Sequence, residues 1–145
     1  MIRMGVPRIL VDTNVLVAAM TRKDSENRAV LRACLGGYLR PVIGETLFLE
    51  YEDVMGRETV FRKCPLTARE RGQLFDSFLS CCEWVQTWFL WRPNLRDEGD
   101  NHLVELALAA GAAIVTHNVR DFRNPDLCFP ELRIITPREL IRELV

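Results

Sequence analysis

The sequence predicts an α/β protein, a three-layer α/β/α sandwich in which a parallel sheet lies between helices. Short aliphatic runs typical of buried strands, such as residues 8–12 and 112–116, alternate with segments of helical periodicity. Crossover connections between parallel strands require this alternation, and no internal repeat or low-complexity tract interrupts it. We expect one domain over residues 1–145, because this length is ordinary for a single core.

The first half of the chain contains two predicted strands and three predicted helices. Residues 8–12 and 39–43 are the strands, and Pro41 places the second at or near an edge because it lacks an N–H. Ser25 is the predicted N-cap of the second helix, and Thr46 is a candidate N-cap for the third. The predicted helices are residues 14–20, the segment from Ser25 to Gly36, and residues 44–55.

The second half begins with a helix opened by Thr67, which forms a capping box with Glu70. The aromatic segment 81–91 is expected to be extended and partly strand. Asp100 opens a helix that Gly111 ends. The last predicted elements are a strand at residues 112–116, a strand at residues 132–135, and a helix that starts at Pro137.

Composition and charge argue against several classes of protein, and they weaken nucleic-acid binding as a default without excluding it. The net charge of −1 gives no overall basic footprint for duplex binding. Five cysteines, an odd number without a CxxC pair, are expected to be reduced thiols in a cytoplasmic protein. His102 and His117 lie far from any cysteine pair and are expected to be structural or peripheral. No secretory signal or run of 18 apolar residues is visible.

Acidic residues stand where the predicted sheet brings chain segments together. Asp12 ends the first strand, and the loop from Asn118 to Asp121 follows the strand at residues 112–116. The carboxyl ends of parallel strands share one edge of a sheet, where open α/β sheets place their ligands. We therefore expect Asp12 and this loop to be neighbours.

Three further acids are candidates for the same site. Glu50 lies on the apolar face of its helix, while Asp97 and Asp100 lie in an acidic loop and the helix turn after it. Neighbouring carboxylates repel unless a cation neutralises them, and a set of oxygen ligands favours Mg²⁺ or Mn²⁺. Such a metal activates water for attack on phosphorus, which predicts phosphodiester hydrolysis. The alternative for Glu50 is a half-buried carboxylate paired with an arginine.

Four segments resemble the motifs of the PIN-domain nucleases. The order and spacing of these segments agree over about residues 8–136, and the likeness extends to the stand-alone, VapC-like toxins of toxin–antitoxin pairs. One departure concerns Asn118, which stands where many members carry an aspartate, with Asp121 three residues later. The four segments are Ile9–Leu16, Gly44–Val54, Arg96–Ala112 and Ile114–Phe122.

This resemblance implies a PIN-like sheet of about five parallel strands and a Mg²⁺- or Mn²⁺-dependent endoribonuclease, the toxin of a type II pair. It implies that the metal is held by Asp12, Glu50 and Asp100, with Asp97 and Asp121 as further catalytic acids and Asp121 able to bind a second ion. The remaining assignments are Thr13, Asn14 and Asn118 as supporting residues, and Arg96 and Arg120 as contacts to RNA phosphate.

Two other interpretations come from different classes of protein. A catalytically weak or inactive PIN-like domain would act as a protein- or RNA-binding module, and Asn118 motivates it. A phosphoacceptor domain is disfavoured because its late strand-end lysine is missing: no lysine follows Lys63. The resemblance implies an antitoxin partner, and the aromatic segment 84–91 with apolar helices predicts a homodimer.

Overall fold

The computed structural model describes residues 5–23, 25–87, 101–122 and 132–144. Three predicted site residues, Arg96, Asp97 and Asp100, lie outside these ranges, as does the second half of the aromatic segment.

A parallel sheet of five strands forms the centre of the described structure, in the order β3-β2-β1-β4-β5. The predicted class and strand number are therefore confirmed. Pro41 lies in β2, next to the edge strand β3, as its missing N–H predicts. The strands are β1 (Arg8–Val11), β2 (Arg40–Ile43), β3 (Glu83–Trp84), β4 (Ala113–Val115) and β5 (Ile134–Ile135).

The helices begin close to the predicted positions. Ser25 accepts a hydrogen bond from the amide of Arg28, and Thr67 and Glu70 form the predicted capping box. The predicted cap at Thr46 is wrong: the N-cap is Gly44, two residues earlier, and it makes no side-chain hydrogen bond. The helices are α1 (Thr13–Thr21), α2 (Glu26–Leu35), α3 (Glu45–Met55), a 3₁₀ turn (Glu58–Phe61), α4 (Ala68–Cys81), α5 (Asn101–Ala110), α6 (Val119–Phe122) and α7 (Pro137–Leu144).

The central strand β1 is covered on both faces. Ile9, Leu10 and Val11 are each at most 1% exposed, although successive side chains of a strand point to opposite faces. Helices must therefore pack on both sides of the sheet, which is the predicted three-layer arrangement. None of the helices within the described residues is long and apolar enough to span a membrane.

Tyr51 fixes α3 to the central strand. Its ring is 1% exposed and packs edge-on against Phe75 and Phe78 of α4. Its hydroxyl donates a hydrogen bond to the carbonyl oxygen of Val11, the last residue of β1. Because Glu50 precedes Tyr51, this contact determines where the carboxylate of Glu50 lies relative to the end of β1.

Candidate active site

Asp12 lies where β1 meets α1, at the edge formed by the carboxyl ends of the strands. Its backbone amide donates to the carbonyl of Val115 in β4, at 3.0 Å. Its carboxylate caps α1, because Oδ1 accepts a hydrogen bond from the amide of Thr13 at 2.8 Å. The residue is only 8% exposed. A carboxylate is thus held between two parallel strands and the start of a helix.

Thr116 supplies the second fixed contact to this carboxylate. Its Oγ1 donates to Oδ2 of Asp12 at 2.8 Å, and the residue is fully buried. The same oxygen accepts hydrogen bonds from Nδ2 of Asn14 at 3.4 Å and from the amide of Asn118 at 3.0 Å. Since a hydroxyl has two acceptor positions and one hydrogen, the hydrogen is directed at Asp12. Asp12 Oδ2 must therefore act as an acceptor.

The sequence did not reveal Thr116 as a site residue. A β-branched residue at the end of a buried strand is what a strand needs for packing, so its hydroxyl gave no separate signal. The one available clue was position: Thr116 directly follows β4, the strand that pairs with β1.

Burial raises the pKa of the Asp12 carboxyl, and the nearby charge of Glu50 raises it further. The hydrogen bonds from Thr116 and Thr13 oppose this shift, as does His102. Oriented donors therefore hold the ionised carboxylate in place, but they do not fully offset the effect of burial on its pKa. A cation close to Asp12 and Glu50 would lower the pKa of this carboxyl.

Glu50 pairs with a histidine. Its Oε1 lies 3.0 Å from Nε2 of His102 in α5, and the two side chains are 41% and 18% exposed. The alternative of an arginine partner is wrong within the described residues. His102, expected to be structural or peripheral, touches a predicted site residue and acts electrostatically on Asp12.

Backbone amides of the loop after β4 contact residues of the candidate site. The amide of His117 donates to Oδ1 of Asn14 at 3.4 Å, and Nδ2 of Asn14 reaches Oδ2 of Asp12 at 3.5 Å. Asn118 and Asp121 are exposed, and the amide of Asp121 donates to the carbonyl of Asn118 at 3.0 Å. Arg120 is also exposed.

The described residues supply only part of a metal-ligand set. They contain no group of three His, Cys, Asp or Glu side chains arranged to hold a metal ion. Asp12 and Glu50 contribute two carboxylates, and the other predicted acids before α5 lie outside the described ranges. Hard oxygen donors with a raised Asp12 pKa fit a divalent cation of the Mg²⁺ or Mn²⁺ type.

Replacing Thr116 with valine should weaken the site at nearly constant side-chain volume. The change removes the donor that lowers the pKa of Asp12, so this pKa should rise further. It also removes the acceptor used by Asn14 and Asn118, at a cost below the value of about 1–3 kcal/mol for a fully buried group, because Asn118 is exposed to water. Denaturant unfolding of Thr116→Val measures the loss of stability, and Mg²⁺ titration measures the effect of the altered Asp12 carboxyl on metal binding. Thr116→Ser, which keeps the hydroxyl, is the control; equal losses in both variants would contradict the role of the hydroxyl.

The model of the PIN-domain family matches residues 8–120. Among solved structures, the chain resembles VapBC2 from Rickettsia felis bound to a DNA fragment from its promoter, with a TM-score of 0.57, 17% identity, and coverage of 89% of this chain and 98% of that one. It also resembles PAE2754 from Pyrobaculum aerophilum, with a TM-score of 0.54, 13% identity, and coverage of 96% and 89%. No curated protein matches the sequence.

The chain belongs to the PIN-domain family, because the family model covers well over half of it. Members of this family are generally nucleases and usually use divalent metal ions. At these identities, the two solved structures establish the likeness in fold.

Proposed function

We propose that this protein is a metal-dependent endoribonuclease that hydrolyses RNA phosphodiester bonds and is the toxin of a type II toxin–antitoxin pair. The observation that carries this proposal is the buried Asp12 carboxylate, whose pKa is raised by burial and by the neighbouring Glu50 at the strand ends. Family membership supplies the nuclease class. The fold likeness to VapBC2 supports the toxin assignment.

In this proposal Asp12, Glu50 and Asp100 would hold Mg²⁺ or Mn²⁺, which would supply an activated water and stabilise the negative charge that develops at the scissile phosphate. Thr13 and Thr116 hold the two oxygens of the Asp12 carboxylate, so that it is preorganised to bind a cation. Asn14 and Asn118 complete this hydrogen-bonded network around Thr116.

Outside that network, Asp97 and Asp121 are proposed as further catalytic acids, with Asp121 able to bind a second ion. Arg96 and Arg120 are proposed to contact RNA phosphate. The proposed molecule is a single domain over residues 1–145 that acts in the cytoplasm, forms a homodimer and binds an antitoxin protein. Gel filtration with light scattering tests the dimer, and a mass near that of one chain would refute it.

Cleavage of single-stranded RNA tests the proposed function. The wild-type protein should cut RNA with Mg²⁺ or Mn²⁺ and lose this activity when EDTA removes the ion. DNA of the same sequence is the matched substrate control for RNA specificity. Absence of metal-dependent cleavage across several unrelated RNA sequences would contradict the proposal.

The second candidate is a catalytically inactive PIN-like domain that binds protein or RNA. It is favoured by Asn118, which places an uncharged amide in the loop after β4 where an acid is expected. Calorimetric titration with Mn²⁺ separates the two candidates. A binding module would show no carboxylate-dependent metal binding, whereas the nuclease should lose binding in Asp12→Asn or Glu50→Gln.

Removing the imidazole at His102 should weaken metal binding. The ring contacts Oε1 of Glu50 at 3.0 Å, so its loss frees the glutamate to rotate. Partners that orient a metal ligand are typically worth about tenfold to a hundredfold in affinity. Calorimetry with Mn²⁺ should show this loss in His102→Ala, while His102→Gln, which retains a hydrogen-bonding group, should recover part of it. An unchanged affinity in His102→Ala would show that the contact does not orient Glu50.

A further inference from the structure

A surface groove leads away from the candidate active site along α1. It has a volume of about 370 Å³. One face of α1, from Thr13 to Thr21, forms its base; Val54 of α3 forms one wall, and Arg22 and His117 complete it. Thr13 and Thr21 are eight positions apart, about 12 Å along the helix axis, so the groove is long enough to hold an extended segment of a chain molecule.

The groove begins at the proposed reaction centre. The amide of Thr13 donates a hydrogen bond to the carboxylate of Asp12, and Nδ2 of Asn14, also in the lining, donates to the same carboxylate. On the α3 side, Val54 lies four residues after Glu50 and therefore on the same helix face. The end of the groove lined by Thr13 and Asn14 is therefore next to Asp12, where a polymer bound at the candidate site could enter it.

Arg22 places a positive charge at the far end of the groove. Its side chain is exposed and forms no ion pair with any other residue in the described ranges. Burial lowers the pKa of His117, and the charge of Arg22 lowers it further, so the neutral form of the imidazole is favoured. Arg22 is therefore the cation of the groove lining.

The rest of the lining suits the neutral parts of a nucleotide. Val17 and Ala18 give it an apolar base, and Thr13 and Asn14 add polar groups at the end next to Asp12. The ring of His117 is held by a hydrogen bond from its Nε2 to the side chain of Asn27, a buried polar residue. The wall is therefore preformed.

We propose that this groove binds the single-stranded RNA next to the cleaved bond, with Arg22 contacting a backbone phosphate. The inference rests on the proposed ribonuclease function and extends it to a second contact region. Its basis is the contact of two lining residues, Thr13 and Asn14, with the Asp12 carboxylate, the length of the groove, and a cation without an ion-pair partner among the described residues. Phosphate contact predicts a contribution that depends on salt and not on base sequence.

Fluorescence anisotropy with labelled single-stranded RNA tests the proposal, with EDTA present so that the RNA is not cut. Arg22→Ala should weaken binding about threefold to tenfold and lower the slope of log affinity against log salt by about 0.7, the value for one phosphate contact on a single strand. The backbone amide of Arg22, which ends α1 by donating to Ala18, is unaffected by the change. Arg22→Lys should keep the slope.

Arg32→Ala is the matched control for the loss of one exposed arginine. Arg32 lies in the last turn of α2, which leads into the start of β2 and so faces the opposite edge of the sheet. If both alanine variants keep the wild-type affinity and salt slope while the wild type cleaves RNA, the groove assignment is wrong and the proposed function stands. If the wild type neither binds nor cleaves RNA, the proposed function and the groove assignment both fail.

Discussion

Asp12→Asn should lower the initial rate of RNA cleavage about a thousandfold. A metal ion contributes several kcal/mol to charge stabilisation in the transition state, and each factor of ten corresponds to about 1.4 kcal/mol. The substitution keeps a helix-capping side chain but removes the charge that attracts the ion. It also places an amide opposite the hydroxyl of Thr116, which already accepts two hydrogen bonds. The measurement is the initial rate of RNA cleavage in Mg²⁺ or Mn²⁺.

Asp53→Asn is the control for this prediction. Asp53 is exposed on the outer side of α3 and pairs with Arg57, so its loss removes one carboxylate from the same protein without touching the site. Its cleavage rate should match that of the wild type. Equal rates for Asp12→Asn and the wild type would remove Asp12 from the proposed metal-ligand set.

Mg²⁺ should raise the melting temperature, and this increase should grow as the pH rises from about 4 towards neutral. Burial raises the pKa of the Asp12 carboxyl above its ordinary value of about 3.9. The metal-free folded state therefore binds the proton more tightly than the unfolded chain. The stability contributed by Asp12 is present below the unfolded pKa and lost as the pH rises through the folded one.

The bound cation reverses this loss because it binds the ionised carboxylate, and a ligand that binds only the folded state stabilises it. Scanning fluorimetry with EDTA or Mg²⁺ over this pH range measures the effect. Asp12→Asn should show a much smaller Mg²⁺ increment at every pH. A wild-type increment that does not change between acidic and neutral pH would contradict the link between the cation and the Asp12 carboxyl.

The sequence predicted the elements whose signals are local. The capping box of Thr67 and Glu70, the Ser25 cap and the Pro137 start each involve residues within one helix turn, so the pattern and the contact coincide. The cap at Thr46 was wrong because a glycine at Gly44 can adopt the extended N-cap conformation without a side-chain hydrogen bond. A serine or threonine in the sequence therefore indicates that a helix begins nearby, but it does not identify the first residue of that helix.

The sequence singled out Asp12 and Glu50, which lie near each other in the structure, but it did not predict the hydrogen bonds around them. Asp12 and Glu50 stand out because carboxylates are rare in apolar patterns, and the structure brings them close enough for mutual repulsion. The contact between Glu50 and His102 joins two helices 52 residues apart in the chain. No periodicity within either helix encodes such a pairing. The residues that tune the acids therefore became visible only from the tertiary arrangement.

The bond between Asp12 and Thr116 also has a consequence for the order in which the protein acquires activity. The two residues are 104 positions apart, and β1 pairs with β4 only after both have been synthesised. Contacts of such high sequence separation form late in folding, because the intervening chain must first be closed into a loop. A ribosome-bound fragment that ends before Thr116 lacks the assembled carboxylate pocket. The proposed cleavage of RNA would therefore require the chain through Thr116, and an N-terminal fragment that ends before it should be inactive.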